Sequence, residues 1–172
     1  MRLTGRRIVI RDFTLNDAQD YLAYASDPIV TRPAGMRLVA SQAQASQTLQ
    51  QFITNASDFA IEYQGRVIGN IGAYPRTGDL ASPEALTREI GYVLAAPFWG
   101  RGFMSEALAL FCEYWFRQGM QALWAAVFPD NRRSLRLLEN AGFAYRFTVD
   151  LPAGLSGDGP RQEAYYCRVS SI

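Results

Sequence analysis

Between an apolar run ending at Leu94 and the strongest helical pattern in the chain stands the hexapeptide Trp99-Gly-Arg-Gly-Phe-Met104. The first turn of a helix carries backbone N–H groups without acceptors and the positive end of the helix dipole. Glycine lets the oxygens of an anion approach such groups closely. A diphosphate can therefore rest on the N–H groups of about residues 101–105, with Ser105 adding a hydroxyl and Arg101 a positive charge. The competing reading is a strand-to-helix turn whose glycines only permit the bend. A dinucleotide fingerprint G-x-G-x-x-G would need glycine where Ser105 stands, so that motif is poorly matched.

A second segment, Asn131-x-x-Ser134-x-x-x-Leu138-Glu139-x-x-Gly142-Phe143, has helix-start chemistry at its head and a helix stop at Gly142. Asn131 suits an N-cap and Ser134 its partner at the third helical position.

The residue types that are missing narrow the chemistry further. The chain has no His, and all 17 of its basic residues are Arg. Histidine bases, His-bearing triads, lysine Schiff bases and the lysine of a Walker A loop are excluded. Arginine holds charge but does not normally give up its proton. Proton transfer falls to carboxylates, Tyr, Cys, Ser, water or a chain terminus. Cys112 and Cys167, the 2 cysteines, form neither a CxxC pair nor a zinc site, and read as reduced thiols in packed elements. No metal site is expected.

The 172 residues, 49% hydrophobic with a formal charge of +1, suffice for a buried core and carry no field that draws the chain to nucleic acid or an anionic membrane. No signal-peptide core and no apolar run near the ~20 residues of a membrane span is visible. A cytoplasmic protein with one domain over 1–172 is the expectation.

The elements that must position these residues follow from periodicity. Ile8–Ile10 reads as a strand, and Leu15–Ala25 as a helix stopped at Asp27-Pro28. Residues 28–40 read as irregular, and Ser41–Asn55 as a helix with Leu49, Phe52 and Ile53 inward. Phe59–Tyr63 and Val67–Tyr74 form a hairpin about Gln64-Gly65. Glu89–Leu94 is a central strand. Phe103–Gln118 is a helix ended by Gly119, with Met104, Leu108, Phe111 and Trp115 on one stripe. Ala122–Phe128, Phe143–Leu151 and Ala164–Val169 complete the strands. The alternation in the second half implies parallel neighbours by right-handed crossover, and the rest an antiparallel meander.

Four stretches, Arg6–Phe13 (RRIVIRDF), Glu89–Leu94 (EIGYVL), Trp99–Ala107 (WGRGFMSEA) and Asn131–Phe143 (NRRSLRLLENAGF), in this order and spacing, resemble the GNAT superfamily of acetyl-coenzyme A-dependent N-acetyltransferases. Within it they are most similar to the ribosomal-protein alanine acetyltransferase branch (RimJ/RimL-like). The resemblance implies a mixed α/β (α+β) GNAT fold. Its sheet has about seven strands, mostly antiparallel, with splayed parallel central strands and helices on both faces. It also implies acetyl-CoA as co-substrate. The cofactor's diphosphate would lie on Gly100, Arg101, Gly102, Phe103, Met104 and Ser105. Its pantetheine amides would pair with the backbone at Val93 and Leu94, with Asn131 on the other side of the arm. Trp99 replaces the family's Gln/Arg, and Met104 a small residue that leaves the phosphate approach open. Arg132, Arg133 and Arg136 are candidates for the nucleotide phosphates.

By the same resemblance Glu89 would deprotonate the amine through water, with a salt bridge to a residue such as Arg146 as its other reading and Glu62 as second candidate. The tyrosine that many members use for the leaving thiolate is replaced by Leu138. Ser134 is the branch's alternative, in competition with its capping role. The acceptor is a protein N-terminus or a small-molecule amine, and neither nucleic acid nor membrane is a partner. Residues 28–40, 75–87 and 152–161 would line the acceptor side, with Tyr165 and Tyr166 reaching it or simply packing. A homodimer is compatible with so small a domain but nothing in the sequence specifies it. A catalytically silent acetyl-CoA sensor would carry the same motifs, and a nucleotide-binding domain of another fold would not prefer coenzyme A.

Overall fold

The computed structural model describes residues 1–76, 86–151 and 161–170. The strands are β1 (Arg2–Thr4), β2 (Val9–Asp12), β3 (Asp58–Tyr63), β4 (Arg66–Pro75), β5 (Thr87–Leu94), β6 (Ala122–Val127), β7 (Ala144–Leu151) and β8 (Arg161–Val169). The helices are α1 (Ala18–Ala25), α2 (Pro28–Thr31), α3 (Gln42–Asn55), α4 (Phe103–Arg117) and α5 (Arg132–Asn140). The strands hydrogen-bond in the order β1-β2-β3-β4-β5-β6-β8-β7. Pairing is antiparallel from β1 through β4 and among β6, β8 and β7, and parallel between β5 and β6. This is the mixed, mostly antiparallel sheet with flanking helices that the sequence implies.

Two local features differ from expectation. The sheet gains an eighth strand, β1, whose three residues carry no periodic signal and are ordered by pairing with β2 (Arg2 opposite Arg11, Thr4 opposite Val9). The segment 28–40 contains the single-turn helix α2, because the Asp27 carboxylate accepts the Ile29 N–H at 2.9 Å and Pro28 occupies the first turn. Asp27-Pro28 therefore ends one helix and begins the next.

The chain divides into two compact units, each discontinuous in sequence. The first comprises Met1–Ala73 and Tyr92–Phe111, the second the described residues of 74–91 and 112–170. In the first, α1 and α3 cover one apolar cluster in which Phe13, Tyr21, Tyr24, Leu49, Ala60, Val67 and Val93 are buried. On α3 it is Ala45 and Leu49 that are fully buried; Ile53, read as inward, stays 39% exposed. The hairpin between β3 and β4 turns at Gln64 and Gly65, both at positive φ (+51° and +77°), as a two-residue loop matched to strand twist requires. Burial of Asp58 is compensated by a chain of hydrogen bonds. Tyr24 donates to Asn70 Oδ1 at 3.0 Å, and Asn70 Nδ2 to Asp58 Oδ1 at 3.0 Å.

In the second unit β6 lies between β5 and β8 in the ladder. On one sheet face Arg88 stacks over Trp115 and Arg168 over Phe116, so this face takes the last turns of α4. Residues Glu89, Trp124, Cys167, Tyr165 and Phe147 share the other face through direct cross-strand pairing and the two-residue side-chain period. Among the described residues no helix is long and apolar enough to cross a membrane.

Candidate active site

In the first unit, β5 runs into a 3₁₀ turn, Ala96–Phe98, and then the glycine segment. The end of β5 is held closely: Ala95 N–H donates to the Ile68 carbonyl at 2.8 Å, and the Trp99 indole N–H to the Leu94 carbonyl at 2.7 Å. A Cβ on Gly69 would lie 2.2 Å from the Val93 carbonyl oxygen, so β4 approaches β5 there only because residue 69 is glycine. Trp99 thus does structural work at its family-variant position by tying the segment back to the strand.

Gly100 and Gly102 flank Arg101 with φ of +72° and +77°. The first turn of α4 closes with Glu106 N–H on the Gly102 carbonyl at 3.1 Å, which makes Gly102 the capping position. A glycine there has no side chain to fold back on the first turn. In α3 Ser41 takes the Gln44 N–H, and in α5 Asn131 takes the Ser134 N–H at 3.1 Å. Helix geometry leaves the N–H groups of Phe103, Met104 and Ser105 without acceptors inside α4. The chemistry of this donor set fits a diphosphate. Met104 is buried, 8% exposed, with its side chain packed into the protein. Phe103 is buried against Tyr63, ring centroids 4.6 Å apart, with the guanidinium of Arg101 over its ring at 5.1 Å. Ser105 is exposed and Val93 and Leu94 are buried.

In the second unit Glu89 opposes Trp124 in the parallel ladder, which has three pairs and ends there, although β6 continues to Val127. Glu89 Oε2 lies 3.5 Å from Arg76 Nη1. Arg76, not Arg146, is its cationic neighbour, and the Arg76 guanidinium is spread over Trp124 at 3.9 Å and Tyr165 at 5.2 Å. Burial raises the Glu89 carboxyl above the ordinary carboxylate value, the charge of Arg76 opposes the rise, and Glu163 adds to it. The phenol of Tyr165 donates to Glu163 Oε2 at 3.3 Å and is pushed up to about 12 by burial and by the charges of Glu89 and Glu163. A half-buried carboxylate with a raised pKa is the chemistry of a general base poised nearer neutrality.

The other candidates are placed as follows. Glu62 accepts from Arg11 Nε at 2.6 Å, in a network where Arg11 also holds both oxygens of Asp17. Asn131 performs the capping role, with Ser134 supplying the N–H. Leu138 is fully buried, and Arg132, Arg133 and Arg136 are exposed on α5. Tyr166 is buried and lies on the opposite face from Tyr165; Glu139 is its charged neighbour. Cys112 and Cys167 are buried free thiols, and burial pushes Cys112 up to about 12, which removes it as a nucleophile. Most of the loops 75–87 and 152–161 lies outside the described residues. Among the described residues no cluster of three or more His, Cys, Asp or Glu could hold a metal.

Each unit therefore gathers its own candidates: Val93, Leu94 and Gly100 to Ser105 in the first; Glu89 on its sheet face, and Asn131 with Ser134, in the second. Sequence reasoning missed Arg7, Arg76 and Trp124. The register of a parallel β5–β6 pair was the one available signal for Trp124; Arg7 and Arg76 had none.

Residues 7–144 match the acetyltransferase (GNAT) domain family. The chain is 31% identical over 145 residues to the uncharacterized N-acetyltransferase YoaA of Bacillus subtilis (strain 168), covering 80% of this chain and 79% of that protein. Among solved structures, a GNAT-family acetyltransferase from Bacillus anthracis superposes with TM-score 0.86 at 22% identity over 98% of both chains. The microcin C7 self-immunity acetyltransferase MccE, in complex with acetyl-CoA and AMP, superposes with TM-score 0.80 at 18% identity over 96% of this chain and 94% of that one. The ribosomal-protein-S5-alanine acetyltransferase from Vibrio fischeri superposes with TM-score 0.75 at 18% identity over 99% and 97%. The three structural likenesses show the fold. The chain belongs to the GNAT acetyltransferase family, and it is an acetyltransferase that uses acetyl-CoA.

Proposed function

We propose that this enzyme acetylates a primary amine by direct attack on acetyl-CoA, as one catalytic domain over residues 1–172, and that its acceptor is a peptide N-terminus, as in the RimJ/RimL-like branch. The observation that carries the cofactor half is the entry of α4, where glycine stands at the capping position and the N–H groups of the first turn remain available. The acceptor half is supported by the likeness to the Vibrio fischeri S5-alanine enzyme.

Acetyl-CoA supplies an activated thioester whose C–S bond breaks as the C–N bond to the amine forms. The remaining tasks belong to this chain. Gly100 to Ser105 hold the diphosphate by backbone N–H groups, and the backbone near Val93 and Leu94, on the edge turned away from β4, pairs with the pantetheine amides as an added strand would. By the family resemblance Asn131 also serves that arm. The Leu94 N–H faces the negative charge that develops on the acetyl oxygen. Glu89 takes the ammonium proton through water, and the raised carboxyl pKa supports that role. Ser134 donates its hydroxyl to the departing sulfur. Holding both reactants in one geometry supplies much of the rate.

The test is a turnover screen with acetyl-CoA against peptides with free N-termini, polyamines and aminoglycosides, read as thiol release. Thiol release that follows added peptide supports the proposal. Turnover with small amines alone overturns the acceptor assignment, and release that no amine accelerates overturns amine acetylation.

A further inference from the structure

Arg7 lies on the turn between β1 and β2, far in sequence from the glycine segment, yet its polar groups converge on it. Its backbone N–H donates to Glu106 Oε1 at 2.7 Å and its Nε to Glu106 Oε2 at 2.8 Å. Its Nη1 donates to the Arg101 carbonyl at 2.8 Å, and its guanidinium lies over the Phe103 ring at 4.6 Å. The packing around it is built for this contact. A Cβ on Gly5 would sit 2.6 Å from Glu106 Oε1, and one on Gly102 would sit 3.3 Å from Arg7 Nη2.

We propose that Arg7 is the positioning residue of the cofactor loop: it turns the Arg101–Gly102 peptide so that the Gly102 N–H faces the diphosphate, and it neutralises Glu106 at the mouth of α4. This rests on the reading that the diphosphate docks at the start of α4. The geometry is that of any trans peptide, in which the carbonyl and the following N–H point in opposite directions. Arg7 captures the Arg101 carbonyl, so the Gly102 N–H is directed away from Arg7 and left for a ligand. The electrostatic half is equally direct. A carboxylate in the first turn of a helix is stabilised by the dipole but competes there with any other anion. Burial alone would raise the Glu106 carboxyl; the Arg7 backbone and side-chain hydrogen bonds, the Ile8 N–H and the Arg7 charge outweigh it and hold Glu106 ionised and engaged. Glu106 is thereby spent on Arg7 and does not repel the diphosphate.

The experiment compares coenzyme A binding by calorimetry, steady-state kinetics and Tm for the wild-type enzyme, R7K, R7A and R7A/E106Q. Lysine cannot span the Arg101 carbonyl and the Glu106 carboxylate together. R7A is expected to raise Kd for coenzyme A and KM for acetyl-CoA about tenfold or more, with kcat and the acceptor KM within about twofold. R7K should fall between, and it is the readout if R7A does not fold. Adding E106Q to R7A should regain affinity, because the negative charge that has lost its arginine is gone. Wild-type affinity in R7K and R7A, or a loss spread over kcat and both KM values, overturns the positioning role. No gain from E106Q overturns the neutralising role. Failure of the wild-type enzyme to bind coenzyme A would instead overturn the reading beneath.

Discussion

Arg76 reaches Glu89 at only 3.5 Å while its guanidinium plane is committed to the indole of Trp124, 3.9 Å away. The pairing is loose where it is ionic and close where it is stacked. Glu89 is left with a nearby positive charge but no forked salt bridge. Its desolvation outweighs that charge and its carboxyl sits above the ordinary value.

The pH–rate profile should report this balance. The base must be ionised, so kcat/KM is expected to fall as the pH drops through the raised pKa of Glu89. Arg76→Ala removes the charge that opposes the rise, which moves the acidic limb to higher pH. Glu163→Gln removes a charge that adds to it and moves the limb lower. Glu89→Gln should abolish the limb and cost about 10²-fold or more in rate. A limb that stays in place in all three variants assigns the base to another group.

The same shift has an opposite consequence for stability. A carboxyl whose folded pKa is raised binds protons more tightly folded than unfolded, so its ionisation costs stability above that pKa. Glu89→Gln is therefore expected to have a Tm at neutral pH no lower than that of the wild-type protein. A clear drop in Tm would mean that Glu89 is held there as a structural ion pair.

Asp17 works in the other direction. Its burial would raise the carboxyl, but the Arg11 side chain and the Thr14 N–H outweigh that and hold it below the ordinary carboxylate value. Its stabilising contribution is present above the unfolded value and lost as the pH falls through the folded one. Acid unfolding monitored by circular dichroism should thus begin at higher pH in Arg11→Met than in the wild-type protein. Coincident acid transitions would show that the Arg11 fork does not hold Asp17 ionised.

Ser134→Ala should lower kcat more than it raises KM for acetyl-CoA, since its N–H still meets Asn131 when the hydroxyl is gone. Asn131→Ala removes the capping oxygen itself and should cost about 1 kcal/mol of stability by denaturant titration. An unchanged kcat in Ser134→Ala would leave the departing sulfur to water.

Gly69→Ala should be among the most damaging single-methyl additions, because the new carbon would meet the Val93 carbonyl at 2.2 Å. Backbone cannot yield as a side-chain tip can, and a loss of about 3 kcal/mol or more is expected from overpacking. Chemical denaturation measures it directly. A near-neutral result would mean that β5 shifts freely at Val93, which is incompatible with a fixed strand edge for pantetheine.

Much of this chain is written locally. The stripe of Leu108, Phe111 and Trp115 specifies α4, Asn131 caps α5 as its side chain dictates, and Gly119 and Gly142 stop helices at positive φ (+89° and +82°). Side-chain period and capping chemistry act over a few residues, so they can be read without neighbours. What only the folded chain decides are the meetings across long separations. Arg7 finds Glu106 across 99 residues, Arg11 finds Glu62 across 51, and Arg76 settles on Trp124 rather than leaving Glu89 to Arg146. β1 likewise exists only through its partner strand. Such contacts depend on ladder register and on which backbone comes close enough, and a one-residue slip would send every strand side chain to the other face. The residue types of the proposed site are therefore legible in the sequence, while their charge balance is set by tertiary neighbours that no local pattern announces.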